Sequence, residues 1–174
     1  MPSRIRVAPV VLVAAVSLAA FSLVACGGGG HHSYKAGTPA ATGVPPSDCS
    51  LVPLDLVTTT LKLSLTGPSP GSRPGGVTCA FQHTKGGGSA PEVVQFGGDV
   101  TDESFHIVRN GLKSANNPVK TIHGWGDDAY AATVFSVVNI NNFAVRKGKV
   151  SVAIQTTADY PQIRNLMKAV LAKL

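Results

Sequence analysis

Apolar positions fall into two regimes along the chain. From Val7 to Leu23 they run without a charge, behind a basic start at Arg4 and Arg6, the order of an export signal. Beyond Asp48 they come in short periodic groups that predict three helices and about six strands. Leu51, Leu54, Val57 and Leu61 recur at helical spacing, with Pro53 suited to an early helical position and Asp48 or Ser50 to the cap. Gly67 to Gly76, carrying Pro68, Pro70 and Pro74, reads as a turn-forming loop. Gly76 to His83 and Pro91 to Phe96 alternate as strands, joined by a hairpin turn through Lys85-Gly86-Gly87-Gly88-Ser89. That glycine run is no phosphate loop, which needs Lys-Ser or Lys-Thr and a helix behind it.

Thr101 is suited to cap a second helix, with Asp102 and Glu103 where acids complement the dipole and Phe105, Val108 and Leu112 as its apolar stripe. Asn116-Asn117-Pro118 ends it. Val119 to Tyr130 reads as strand, tight turn, strand, with Gly124 and Gly126 around the only tryptophan, Trp125, and Asp127 or Asp128 able to hold the turn. Thr133 to Ile140, Phe143 to Arg146 and Lys149 to Thr156 read as further strands, the last behind a Lys147-Gly148 turn. Asp159 and Pro161 open a third helix whose stripe is Ile163, Leu166, Met167, Val170, Leu171 and Leu174, opposite Arg164, Lys168 and Lys173. This order predicts an α+β single domain: a mostly antiparallel sheet packed against three helices and covered on one face.

The right-hand edge of the leader sets the address. Leu23-Val24-Ala25-Cys26 resembles the lipobox of bacterial lipoproteins, which implies diacylglyceryl attachment at Cys26 and cleavage before it. The alternatives are an ordinary secretory signal or an uncleaved anchor. Of the three cysteines, Cys49 and Cys79 then remain to form one disulfide in an oxidising compartment. It closes a loop of about 31 residues, worth roughly 3 to 4 kcal/mol. The chain divides into a signal peptide at 1–25, a disordered tether at 26–47 and a globular domain at 48–174. In the tether, His31 and His32 are two adjacent imidazoles without further ligands, and they read as solvated linker.

Net charge is +6, and removal of Arg4 and Arg6 with the leader leaves a mildly basic chain. It has no arginine cluster interleaved with aromatics, so nucleic acid is not an expected partner. A dilute positive charge suits anionic headgroups. No cofactor or metal motif occurs. For an acid-base site the candidates are His123 with Asp127 and Asp128, joined by His83 or His106, but no nucleophile elbow accompanies them.

Asp48-Cys49-Ser50-Leu51-Val52, Cys79-Ala80-Phe81, the stretch Gly124-Trp125-Gly126-Asp127-Asp128-Ala129-Tyr130, and Val145-Arg146-Lys147-Gly148 before a final strand and helix resemble a family of actinobacterial, mycobacterial-type lipoproteins whose domain has no assigned function. The resemblance implies the Cys49 to Cys79 disulfide and an envelope location, with the membrane as partner through Cys26, and it transfers no catalytic residue. Trp125, Asp127, Asp128 and Tyr130 stand as a ligand-side or turn motif. The expected function is a membrane-anchored binding module, its sheet or sheet-helix cleft holding an apolar or amphiphilic envelope molecule or docking a partner protein. The other readings are a hydrolase built on His123, Asp127 and Asp128, or an accessory subunit of an envelope complex.

Overall fold

Val77, Cys79 and Phe81 alternate with Thr78, Ala80 and Gln82, and the first three are buried while the second three are not. That period-two alternation builds the domain, because each strand offers one face to a core. In the computed structural model, which describes residues 45–84 and 90–174, the order is α1 (Leu54–Leu61), β1 (Leu65–Arg73), β2 (Gly76–His83), β3 (Glu92–Gly97), α2 (Asp102–Ser114), β4 (Val119–Thr121), β5 (Asp128–Phe135), β6 (Asn139–Lys147), β7 (Val150–Thr156) and α3 (Tyr160–Leu171). The leader, Cys26, the tether up to residue 44 and the turn at 85–89 lie outside the described residues. The strands form one sheet in the order β1-β2-β3-β7-β6-β5-β4, with every pairing antiparallel. The expected α+β fold is the observed one.

On one face Cys79, Val94, Ile154, Phe143 and Ala131 lie side by side across five strands. Val57 and Leu61 of α1 and Ile163, Leu166, Met167 and Val170 of α3 close over this row, each such side chain contributing roughly 1.5 to 3 kcal/mol by burial. The two helices are also joined directly: Gln162 Nε2 donates to the carbonyl of Leu61 at 2.8 Å, satisfying an acceptor that the end of α1 leaves free. The Cys49–Cys79 disulfide, with Cα atoms 5.7 Å apart, pins the segment before α1 to the middle of β2.

Four sequence expectations change. The sheet is covered on both faces: α2 lies on the second one, where Phe105 packs with Tyr130 and Ala144. The proline-bearing stretch after Gly67 belongs to β1. It is an edge strand, where a residue without an N–H is tolerated, and only Pro74-Gly75 turns, with Gly75 at φ +74°. Thr133 to Ile140 is no single strand, since β5 ends at Phe135 and the chain reverses through Ser136-Val137-Val138 into β6. Finally, Pro53 occupies the cap position of α1 without a side-chain bond, and Asp48 instead accepts from the N–H of Ser50 at 2.9 Å ahead of the helix. The caps of the other helices are as expected, Thr101 in a reciprocal capping box and Asp159 with its N–H donating to Gln162 Oε1 at 2.9 Å.

Candidate functional site

Helix α3 lies over β7 and β6, and beside its N-terminal half the neighbouring strip of sheet is left open as a cleft. Tyr160, Arg164 and Lys168 recur every four residues, so they line one flank of α3 beside its buried stripe. Opposite them Lys120 of β4 pairs with Ala131 of β5, which pairs with Phe143 of β6, and cross-strand partners share a face. Ala131 is small, and the hollow above it is a cleft of about 270 Å³ lined by Pro118, Lys120, Ile122, Thr133, Tyr160 and Arg164 over a floor of Ala131 and Phe143. Ligand sites run from about 300 Å³ upward, so this volume suits a small molecule or a single chain.

The walls are ordered from below. Trp125 meets Phe143 edge to face with centroids 5.1 Å apart, and the Arg164 guanidinium lies over the Trp125 ring at 5.5 Å. Phe143 and Trp125 thus hold a cation at the cleft. Thr133 Oγ1 lies 3.4 Å from the Tyr160 hydroxyl and donates to Asn141 Oδ1 at 3.0 Å, while Asn141 Nδ2 donates to the Ala158 carbonyl at 2.9 Å. Burial pushes the Tyr160 phenol above its ordinary pKa, partly offset by the Thr133 bond, so the hydroxyl stays a neutral donor. Among the described residues, neither Lys120 nor Arg164 has a carboxylate within ion-pair distance. An apolar floor rimmed by two uncompensated cations and a hydroxyl matches a ligand with an apolar body and an anionic head.

Of the predicted acid-base residues the structure brings Asp128 to His106 and leaves His123, among the described residues, without a bond to either carboxylate. His123 is exposed and, among the described residues, makes no hydrogen bond or ion pair with Asp127 or Asp128. Asp127 Oδ2 accepts from the N–H of Gly148 at 2.6 Å and so holds the β6–β7 turn, a neighbour's turn in place of its own. Asp128 bonds to His106 Nε2 and has Arg109 at 3.8 Å. Arg146 bridges Asp102 at 2.8 Å and Asp127 at 3.6 Å. This network ties the start of α2 to β5 and β6. Asp102, His106 and Asp128 bring three ligand atoms within 4.8 Å of one another, but Arg109 and Arg146 already neutralise those carboxylates and would repel a dication, so the donor set fits a structural lock better than a metal centre. His83 lies elsewhere, against Glu92 at 2.7 Å. Glu92 is 1% exposed and also accepts from the Thr157 N–H at 2.9 Å and hydroxyl at 2.7 Å, which satisfies a carboxylate that burial would otherwise penalise.

The Trp125 to Tyr130 motif is divided by the sheet. Trp125 serves the cleft, while Tyr130 faces the other side, its ring 5.2 Å from Phe105, with burial pushing its pKa up to about 12. Beside α2 a second hollow of about 240 Å³, lined in part by Gln95, Ala144, Ala153 and Val108 with Arg73 at its end, explains why Val108 of the predicted stripe is 56% exposed. Sequence reasoning missed Lys120, Ala131, Phe143 and Tyr160 as lining residues; the Tyr160, Arg164, Lys168 repeat was the one readable signal.

The structure is an α+β domain with an open cleft between sheet and helix. Compared with protein-family models, curated proteins and solved structures, the chain matches none.

Proposed function

We propose that the chain is an envelope lipoprotein of the actinobacterial type, anchored to the extracytoplasmic face of the cell membrane through lipidated Cys26, whose domain holds a small anionic amphiphile in the α3–β4–β5–β6 cleft. The observation that carries this reading is the pairing of an apolar floor, Ala131 and Phe143, with Lys120, Arg164 and the Tyr160 hydroxyl at the rim. Attraction to the anionic head sets orientation, and burial of the apolar body supplies most of the free energy. Two acyl chains on one cysteine anchor stably where one would not.

Native mass spectrometry of the oxidised mature chain from an envelope-bearing host tests both halves. We expect a diacylglyceryl increment on the N-terminal peptide, and a second, non-covalent mass that is lost in Arg164→Ala. An unmodified Cys26 refutes the anchor. A chain that carries no adduct and takes up no added dodecanoate refutes the cargo.

A further inference from the structure

The β5–β6 hairpin ends in a segment that the rest of the sheet does not support. On one side β4 pairs with β5 only as far as Val119 opposite Ala132, with one more bond from the Thr133 N–H to the Pro118 carbonyl. On the other side β7 pairs with β6 only from Thr156 opposite Asn141. Residues 134–140 are therefore paired with each other alone, Val134 with Ile140 and Phe135 with Asn139, and project past both neighbours. Their sequence is Val-Phe-Ser-Val-Val-Asn-Ile, inside a run from Ala129 to Val145 without a charge. Turns are ordinarily polar and rich in Gly, Asn or Asp; at this tip Phe135 is 61% and Val137 100% exposed.

We propose that this tip is a membrane-contacting wedge, inserting Phe135 and Val137 into the boundary between headgroups and acyl chains of an anionic bilayer. Three observations favour lipid as the occupant. Part of the tip's backbone is satisfied within the hairpin: Val134 pairs with Ile140 and Phe135 with Asn139, and Ser136 Oγ donates to the Val138 carbonyl at 2.8 Å, covering an acceptor that water would otherwise serve. No charge has to be desolvated with the tip. Cations stand behind it, because Thr133, the residue before the tip, lines the cleft that Lys120 and Arg164 rim, with Lys168 further along the same flank of α3, and such a basic surface complements anionic headgroups. The wedge is a surface distinct from the cleft and stands whether or not the cleft holds cargo.

The test uses the full mature chain with Cys26→Ser, so that no covalent lipid contributes, in sedimentation with vesicles of phosphatidylcholine alone or with one third phosphatidylglycerol. We expect binding to the anionic vesicles and its reduction by at least about tenfold in the Phe135→Ser, Val137→Ser double variant. The variant should keep the thermal midpoint and dodecanoate uptake of the parent, since both side chains are exposed and outside the cleft. A Phe135→Trp chain should show blue-shifted emission, quenched by brominated lipid. Equal binding by parent and double variant, absence of binding by both, or Phe135-dependent capture of a protein without vesicle binding would overturn the proposal.

Discussion

Arg164 and Trp125 form a cation–π pair, with the guanidinium 5.5 Å from the ring centroid. The two contribute unequally. Trp125 is 9% exposed and packed on Phe143, so Trp125→Ala should destabilise the domain by roughly 3 kcal/mol. Arg164 is exposed, and its cation–π term is about 0.5 to 1 kcal/mol. Arg164→Ala should leave the urea midpoint nearly unchanged while weakening dodecanoate binding about tenfold, the loss of one charge-assisted contact. Parallel urea and ligand titrations separate the two effects.

Ala131 makes the cleft by being small. Ala131→Leu should fill the hollow above Phe143 and abolish dodecanoate uptake, at a cost of no more than about 1 to 3 kcal/mol if the larger side chain crowds its neighbours. Persistent uptake would place the ligand elsewhere.

The raised pKa of Tyr130 makes stability depend on alkaline pH. The folded state holds the phenolic proton to about 12, against an ordinary value of 10.0, so between those pH values the native state binds more protons than the unfolded one. The contribution is fully present below pH 10 and is lost as pH rises through about 12, up to roughly 2 to 3 kcal/mol. Urea midpoints measured from pH 8 to 12 should fall, and more gently in Tyr130→Phe.

Arg146 joins Asp102 of α2 to Asp127 of the Trp125 turn. Arg146→Ala should cost roughly 2 kcal/mol through the hydrogen bonds to charge that it removes. The loosened region should be local, seen as faster amide exchange in α2 and the β6–β7 turn.

Reduction of the Cys49–Cys79 bond, which spans a sequence separation of 30, should lower stability by roughly 3 to 4 kcal/mol in the chain-entropy model. Denaturation with and without dithiothreitol measures it directly.

Where one local pattern determined the structure, it was legible: Gly76 to His83 is β2, Thr101 caps α2, and Asp159 with Pro161 opens α3. It failed where local chemistry is overridden. Pro68 and Pro70 argue against a strand, yet β2 supplies a partner and the edge position removes the penalty. Ser136-Val137-Val138 carries no turn signal, so the β5–β6 reversal was invisible, and a departure from local rules is expected where a segment serves something other than folding. The cleft was the least legible feature. It depends on Lys120, Ala131 and Phe143 coming into register and on where α3 lies over the sheet, which are relations between residues far apart in the chain. Trp125 stood out by composition, but only the fold shows that it serves as a platform for Arg164.

The prolines of β1 have a consequence for what the protein can associate with. One border of the sheet is a strand with two missing donors and an irregular register between Thr66 and Ser69, and the other, β4, is three residues long. Neither offers the row of free N–H and C=O groups that an incoming strand needs. At these two borders copies of the domain are thereby kept from zippering into a shared sheet, and an extended peptide finds no ledge to join. Association across these borders is left to side chains.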